Sequence, residues 1–237
     1  MLEVRDLVKH YQIGGGEPVR AVDGVSIKIA RGEFVALYGP SGSGKTTLLE
    51  LIAGLRAPDS GSVLVAGRDV VAMSRREADE YRLRQLGIIG QPHNLIPGAQ
   101  AIQNASLKLL LSNARRAKTT IEPLLGQLGL GDRLHHRTEQ LSMGERQRVL
   151  IALALSTDPK LVLADEPTGN LDTSRTREVL GLLRGLCRER DMALLLATHD
   201  PQAAAFADQV HELRDGRLGA YTPDHGAAPD EPWKPGV

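Results

Sequence analysis

Gly39-Pro40-Ser41-Gly42-Ser43-Gly44-Lys45-Thr46 matches the phosphate-binding pattern GxxxxGK[ST] without a gap. An apolar stretch from Phe34 to Tyr38 precedes it, and a segment of helical character from Thr47 to Ala53 follows it. This strand–loop–helix order is the context that the motif requires. The alternative, a glycine-rich turn that only joins a strand to a helix, is disfavoured by the Lys-Thr pair in register. The stretch therefore predicts a site for a nucleoside triphosphate.

The residues of this loop have different expected roles. The glycines let backbone N–H groups turn inward around the phosphates, and the N-terminus of the following helix adds its positive dipole end. Lys45 would reach the β- and γ-phosphates, and Thr46 would hold Mg²⁺. The predicted nucleotide-binding residues of the loop are Gly39, Pro40, Ser41, Gly42, Ser43, Gly44, Lys45, Thr46 and Thr47.

Length and charge bound the class of protein. A chain of 237 residues suits one α/β domain, or one domain with a subdomain. Its 29 basic residues balance its 29 acidic ones, so we expect no nucleic-acid partner. A single cysteine, Cys187, excludes an internal disulfide framework. Because Met1 to Asp6 lacks the character of a signal peptide and no apolar run is as long as a membrane span, we expect a cytoplasmic protein.

Hydrophobic periodicity predicts a chain that begins with β-strands and continues as alternating strands and helices. The run from Leu161 to Ala197 reads as a strand–helix–strand unit, which predicts a sheet that is at least partly parallel. The proline-rich end, 222–237, is expected to be a flexible tail. Strands are expected at 2–8, 25–29, 34–38, 61–67, 86–89, 161–164 and 193–197, and helices at 47–53, 74–85, 104–130 (interrupted at Pro123 and Gly126), 142–156 and 174–190.

Two carboxylates follow the apolar strand Leu161 to Ala164. Asp165 at the strand tip would lie beside the Mg²⁺ of the nucleotide, and Glu166 would polarise the water that attacks the γ-phosphate. Such a pair alone is usually only solvated charge. The phosphate-binding loop upstream makes it a strong indication of nucleotide hydrolysis.

Ser142 and Glu145 form a capping-box pattern at the start of a long helix. One interpretation stops at helix capping. The other is that the helix N-terminus also presents Ser142 and backbone N–H groups to a phosphate. The two are compatible, and helix signals alone leave the choice open.

With these motifs in order, the chain resembles the ATP-binding cassette ATPases from about Leu2 to Leu218. Leu141-Ser142-Met143-Gly144-Glu145 is similar to the family's LSGGQ signature, and Gln91 stands where its glutamine loop would. Thr168-Gly169-Asn170-Leu171-Asp172 resembles its D-loop, and Thr198-His199-Asp200 its switch histidine. Tyr11 matches the aromatic residue that stacks on adenine.

The resemblance implies a fold and a mode of action. The fold would be an α/β P-loop NTPase core with a mostly parallel sheet, an N-terminal antiparallel β subdomain and an inserted α-helical subdomain at about 92–157, within a domain covering 1–221. Two copies would bind two ATP molecules between them, each site pairing the loop of one subunit with the signature of the other. The helical subdomain would dock an integral-membrane permease, which would place the protein at the inner face of the cell membrane.

The same resemblance implies roles for individual residues. Ser142 and Gly144 would contact the γ-phosphate bound by the other subunit, and Asp172 would link the two sites. His199 would contact the γ-phosphate in its own subunit. Gln91 would sense Mg²⁺ and the attacking water.

Gly144-Glu145-Arg146-Gln147-Arg148-Val149 and Leu213-Arg214-Asp215-Gly216-Arg217-Leu218 look like the lipoprotein-releasing and macrolide-export branch. The resemblance implies export or extraction of lipoprotein, peptide or drug-like molecules. Two alternatives remain open: an ATPase that regulates a membrane partner controlling cell-wall hydrolysis, and a soluble cassette ATPase without a transport role. Met143 departs from the family pattern, which has glycine there, and Gly90 stands where relatives usually carry an aromatic residue.

Overall fold

The computed structural model describes residues 1–12, 16–90, 95–113, 117–169 and 171–221. Within them lie ten strands and seven α-helices. The strands are β1 (Leu2–Tyr11), β2 (Val19–Ile29), β3 (Phe34–Tyr38), β4 (Ser60–Val65), β5 (Arg68–Asp69), β6 (Leu86–Ile89), β7 (Leu161–Asp165), β8 (Ala193–Thr198), β9 (Gln209–Arg214) and β10 (Arg217–Ala220). The helices are α1 (Lys45–Ile52), α2 (Arg75–Arg84), α3 (Ala101–Asn113), α4 (Ala117–Gln127), α5 (Met143–Leu155), α6 (Thr173–Glu189) and α7 (Pro201–Ala204).

The strands form two sheets. A four-stranded antiparallel sheet has the order β2-β1-β4-β5. A six-stranded sheet has the order β10-β9-β3-β8-β7-β6, in which only the pairing of β10 with β9 is antiparallel among the described strands. The predicted α/β class with a mostly parallel sheet and an N-terminal antiparallel sheet is therefore confirmed.

The central strands of the larger sheet, β3, β8 and β7, are buried on both faces, as parallel strands require. Alternate residues of a strand point to opposite faces: in β7, Leu161 and Leu163 join the cluster shared with α1 and the antiparallel sheet, whereas Val162 and Ala164 join the cluster shared with α3 to α6. The sheet is thus held between two hydrophobic layers, which leaves its strand ends to carry polar groups.

The expected strand–helix–strand unit is present as β7, α6 and β8, with β7 and β8 parallel neighbours. One element expectation is wrong. Pro123 and Gly126 do not interrupt the helical region but lie inside α4. Ile121, Leu124 and Leu125 on this helix are buried, and their packing outweighs the helix cost of proline and glycine.

The sequence does not predict four short elements: β5, α7, β9 and β10.

In the part of the chain that the structure describes, no helix combines the length and the apolar composition that a membrane span requires. The expected tail, 222–237, lies outside the described residues.

Candidate active site

The phosphate-binding loop connects β3, in the middle of the larger sheet, to α1. Two of its glycines are required by close backbone approaches. A Cβ on Gly39 would lie 2.2 Å from the carbonyl oxygen of Leu213, and one on Gly44, whose φ is +105°, would lie 1.8 Å from that of Ala21. The loop therefore lies tightly against β9 and β2, which fixes its path.

Lys45, the first residue of α1, folds back over the loop. Its Nζ donates hydrogen bonds to the carbonyl oxygens of Gly39 at 2.7 Å and Pro40 at 2.9 Å. Burial lowers the pKa of Lys45, while the carboxylates of Glu166 and Asp165 act in the opposite direction. The ammonium group is thus held inside the loop, where a triphosphate would be bound.

Thr46 and Asp165 come together across two elements. The Thr46 hydroxyl donates to Asp165 Oδ2 at 2.8 Å, joining the start of α1 to the end of β7. Burial raises the pKa of the Asp165 carboxyl. Hydroxyl and carboxylate oxygens are the donors that Mg²⁺ prefers, so this pair fits the metal side of a nucleotide site.

The described residues contain no cluster of three or more His, Cys, Asp or Glu side chains that would hold a metal ion without help. Mg²⁺ commonly keeps several waters and binds through one or two protein groups plus substrate phosphates. A site built from Thr46, Asp165 and a bound triphosphate matches this coordination preference.

Glu166 is held by groups at the end of the neighbouring strand β8 and by His199, which follows that strand. Its carboxylate accepts a hydrogen bond from Thr198 Oγ1 at 3.2 Å, and its Oε1 lies 2.8 Å from His199 Nδ1. Its backbone N–H donates to the carbonyl oxygen of Ala197 at 3.0 Å, and its φ is +46°. A non-glycine residue rarely adopts this conformation, and such positions cluster at functional sites.

The signature segment lies at the N-terminus of α5. Ser142 caps the helix, accepting from Glu145 N at 3.3 Å, and the Glu145 carboxylate accepts from Ser142 N at 2.8 Å. The predicted capping box is confirmed. Met143 is the first helical residue, with 38% of its surface exposed.

Gly144 is buried, yet a Cβ there would meet only Arg175 Cδ, at an ordinary 3.5 Å. Packing inside this chain therefore does not demand glycine at 144. Asp172 caps α6, with its Oδ1 accepting from Arg175 N at 2.9 Å and its Oδ2 3.4 Å from Arg175 Nε. Arg175 thus pairs with the D-loop segment and lies beside the signature helix.

The larger sheet brings one group of predicted residues together, because β3, β8 and β7 are neighbours: Lys45, Thr46, Asp165, Glu166 and His199. Ser142, Gly144 and Asp172 lie instead at the N-termini of α5 and α6, and Tyr11 at the end of β1. Gln91 and Asn170 fall outside the described residues.

Two residues beside the site have no role assigned from the sequence. Thr198 stands in the Thr198-His199-Asp200 motif, and its position at the end of the strand beside β7 could have indicated its contact with Glu166. Arg175 had no sequence signal, since its position beside the signature helix brings together segments about thirty residues apart.

The family model described as "ABC transporter" matches residues 22–169 of this chain. The chain belongs to the ABC transporter family. The lipoprotein-releasing system ATP-binding protein LolD 2 of Chlorobaculum tepidum is 41% identical over 227 residues, covering 93% of this chain and 92% of that relative. The macrolide export ATP-binding/permease protein MacB of Rhodopirellula baltica is 43% identical over 220 residues, covering 91% of this chain and 32% of that relative.

A solved structure gives the same fold. The dimeric post-hydrolysis state of the ATP-binding cassette MJ0796, bound to ADP and Pi, has a TM-score of 0.82 and 34% identity, covering 92% of this chain and 96% of that one. The chain is accordingly an ABC transporter ATPase that binds and hydrolyses ATP, similar to the LolD and MacB branch. The resemblance drawn from the sequence motifs is confirmed.

Proposed function

We propose that two copies of this chain enclose two ATP-Mg²⁺ molecules and that the closing and opening of this dimer drives a membrane permease. The single observation that carries the proposal is the meeting of Lys45, Thr46, Asp165, Glu166 and His199 at one edge of the larger sheet. Ser142, Gly144 and Asp172 would complete it from a second copy. Tyr11 of the copy that supplies Lys45 would stack on the adenine base.

The residues have separate parts in hydrolysis. Lys45 neutralises charge on the β- and γ-phosphates, and Thr46 with Asp165 holds Mg²⁺. Glu166 accepts a proton from the water that attacks the γ-phosphorus. The new P–O bond forms as the bond to the ADP oxygen breaks. His199, held against Glu166, is in place to contact the γ-phosphate, and Gln91 is proposed to orient the water.

The signature supports a contribution from a second copy. Because intrachain packing leaves room for a Cβ at Gly144, a partner that approaches the α5 N-terminus closely explains the glycine better. The bound γ-phosphate of the other subunit is such a partner, and a helix N-terminus favours an anion. Asp172, beside this helix through Arg175, would then link the two sites.

The permease would dock on the helical subdomain, proposed at about 92–157. On α3 of this subdomain Leu110 and Leu111 are 49% and 79% exposed, and neighbouring apolar side chains on a surface helix suit a protein interface. Docking would hold the ATPase at the inner face of the cell membrane. The substrate would be a lipoprotein, peptide or drug-like molecule that is exported or extracted, as the relatives' names suggest.

The test is a pull-down of tagged Glu166→Gln protein from detergent-solubilised membranes with ATP and Mg²⁺, read by mass spectrometry. Recovery of a membrane protein with a large extracytoplasmic domain supports the permease-coupled function. Leu111→Glu is the matched variant, because it removes the exposed apolar surface without touching the nucleotide site, and it should lose that partner. Recovery of soluble proteins alone with an ATP-loaded dimer would contradict the proposal and favour the soluble class.

The same pull-down would also recover a membrane partner if the protein were a regulatory ATPase. ATP-driven substrate movement in vesicles reconstituted with that partner distinguishes the two functions. The absence of movement, with hydrolysis still stimulated by the partner, would contradict transport.

A further inference from the structure

Two cationic side chains lie near the ring of Tyr11, the residue that the proposed function places against adenine. Lys9 Nζ lies 5.7 Å from the ring centroid and the Arg56 guanidinium carbon 5.8 Å from it. Both distances are within the range at which a cation is attracted to an aromatic face. Lys9 precedes Tyr11 on the same strand, whereas Arg56 reaches it from the segment after α1.

Each cation is itself fixed by a carboxylate. Lys9 Nζ donates to Asp59 Oδ1 at 2.8 Å, and Arg56 Nε pairs with Glu50 Oε2. Asp59 also accepts from the backbone N–H of His10 at 2.7 Å, so it holds the strand immediately before Tyr11. Ion pairs at a protein surface add little to stability. We therefore infer that the main effect of these two pairs is to fix the cations, and through them the Tyr11 ring, in position.

Arg56 also connects two parts of the nucleotide site. Its partner Glu50 lies on α1, the helix that begins with Lys45 and Thr46. Through Glu50 and Arg56, the aromatic ring at the end of β1 is tied to the helix that carries the phosphate-binding residues. Because the base and the triphosphate belong to one nucleotide, the ring that binds the base must keep a fixed distance from the helix that binds the phosphates.

We propose that Arg56 and Lys9 are positioning residues of the base subsite, which hold the Tyr11 ring in the orientation that stacks on a purine. Arg56, anchored by Glu50, sets the position of the ring relative to α1. This inference rests on the part of the proposed function that assigns Tyr11 to the base.

The experiment compares ADP, which is not hydrolysed, with pyrophosphate, which lacks a base, by isothermal titration calorimetry on the full chain. Tyr11→Ala should weaken ADP binding by roughly five- to hundredfold, the range for loss of a base–aromatic stack. Arg56→Ala should weaken it roughly two- to fivefold, as loss of an exposed cation–π contact predicts. Neither variant should change pyrophosphate binding.

Further variants show whether Arg56 acts through the ring. The Tyr11→Ala/Arg56→Ala double variant should bind ADP no more weakly than Tyr11→Ala alone, and Arg56→Lys should restore most of the affinity. In ATP hydrolysis, Arg56→Ala should raise KM and leave kcat unchanged. Arg31→Ala is the matched control: this exposed arginine also pairs with a carboxylate, that of Asp191, but lies at the opposite end of the β1–β2 pair.

Unchanged ADP affinity in Arg56→Ala, equal weakening of pyrophosphate, or additive losses in the double variant would each overturn the positioning role while leaving Tyr11 at the base. Unchanged ADP affinity in Tyr11→Ala would instead overturn the assignment of Tyr11, and the inference with it. Thermal melting of each variant separates these outcomes from loss of folding.

Discussion

Met143 is the residue at which this signature departs from its family, and the structure places its side chain on the first turn of α5 with 38% of its surface exposed. The cap is made by Ser142 and Glu145, so it does not depend on residue 143. A glycine is not demanded by the helix either, because the position has ordinary helical geometry. What matters is whether the side chain leaves room for the opposing nucleotide.

We predict that Met143→Gly preserves or raises ATPase activity, within about threefold of the natural chain. The cost to helix stability should be no more than roughly 1 kcal/mol, since glycine is that unfavourable in a helix interior and less so in the first turn. Steady-state phosphate release and thermal melting measure both quantities. A collapse of activity in a folded variant would mean that Met143 makes a specific contact across the site.

At the scale of elements, the packing of the phosphate-binding loop against β2 depends on Gly44. Its φ of +105° and the 1.8 Å approach of a Cβ to the Ala21 carbonyl oxygen exclude any side chain without movement of backbone. We predict that Gly44→Ala lowers the free energy of unfolding by at least about 2 kcal/mol and abolishes nucleotide binding.

Gly126→Ala is the control for Gly44→Ala. Gly126 lies inside α4, with nothing within 4 Å of an added Cβ. Alanine there should stabilise the protein by roughly 0.5–1 kcal/mol. Chemical denaturation curves of both variants give the comparison, and a neutral Gly44→Ala would contradict the close packing.

Lys108 of α3 covers the outer strand of the larger sheet. Its Nζ donates to the carbonyl oxygen of Leu86, at the start of β6, and burial lowers its pKa from 10.5 to about 8. Below pH 8 the ammonium is charged in both the folded and the unfolded chain, and its burial destabilises the fold in full. As pH rises from about 8 to 10.5 the folded state loses the proton first, so stability rises with pH.

Lys108→Met should therefore raise the melting temperature at pH 7 by roughly 2–8 °C, which corresponds to about 1–2 kcal/mol in a chain of this size. The gain should shrink as pH approaches 10.5, the ordinary value. Calorimetry at pH 7 and pH 10 measures it, with the exposed Lys160→Met as control. An equal rise in melting temperature at pH 7 and pH 10 would rule out titration of Lys108 as the cause.

The elements differ in how far the sequence predicts them. The β7–α6–β8 unit was predicted because uninterrupted apolar strands flank a helix of clear periodicity. The sequence does not indicate strands β9 and β10, because Gln209–Arg214 carries mostly half-buried and exposed side chains and becomes a strand through pairing with β3 and β10. Local propensity divides the helical region at Pro123, because it does not report the buried face that keeps α4 intact.

At the scale of the whole molecule, the order of strands in the larger sheet explains the site. Segments more than a hundred residues apart meet because β3, β8 and β7 are neighbours, as the Thr46–Asp165 hydrogen bond shows. The phosphate-binding loop and the two acids at the tip of β7 are local sequence motifs, so the sequence alone indicates which of their residues belong to the site. The cations around Tyr11 are not indicated in this way, because Arg56 reaches the ring only after folding and carries no local pattern.

Glu166→Gln tests the central claim most directly, because it keeps the shape of the side chain and removes the proton acceptor. Light scattering coupled to gel filtration should give the 25.6 kDa monomer mass without nucleotide and twice that mass with ATP and Mg²⁺, and hydrolysis should fall by at least roughly a hundredfold. Adding Lys45→Ala should abolish the dimer. A Glu166→Gln protein that binds ATP and Mg²⁺ yet stays at the monomer mass, or hydrolyses ATP at the natural rate, would contradict the account.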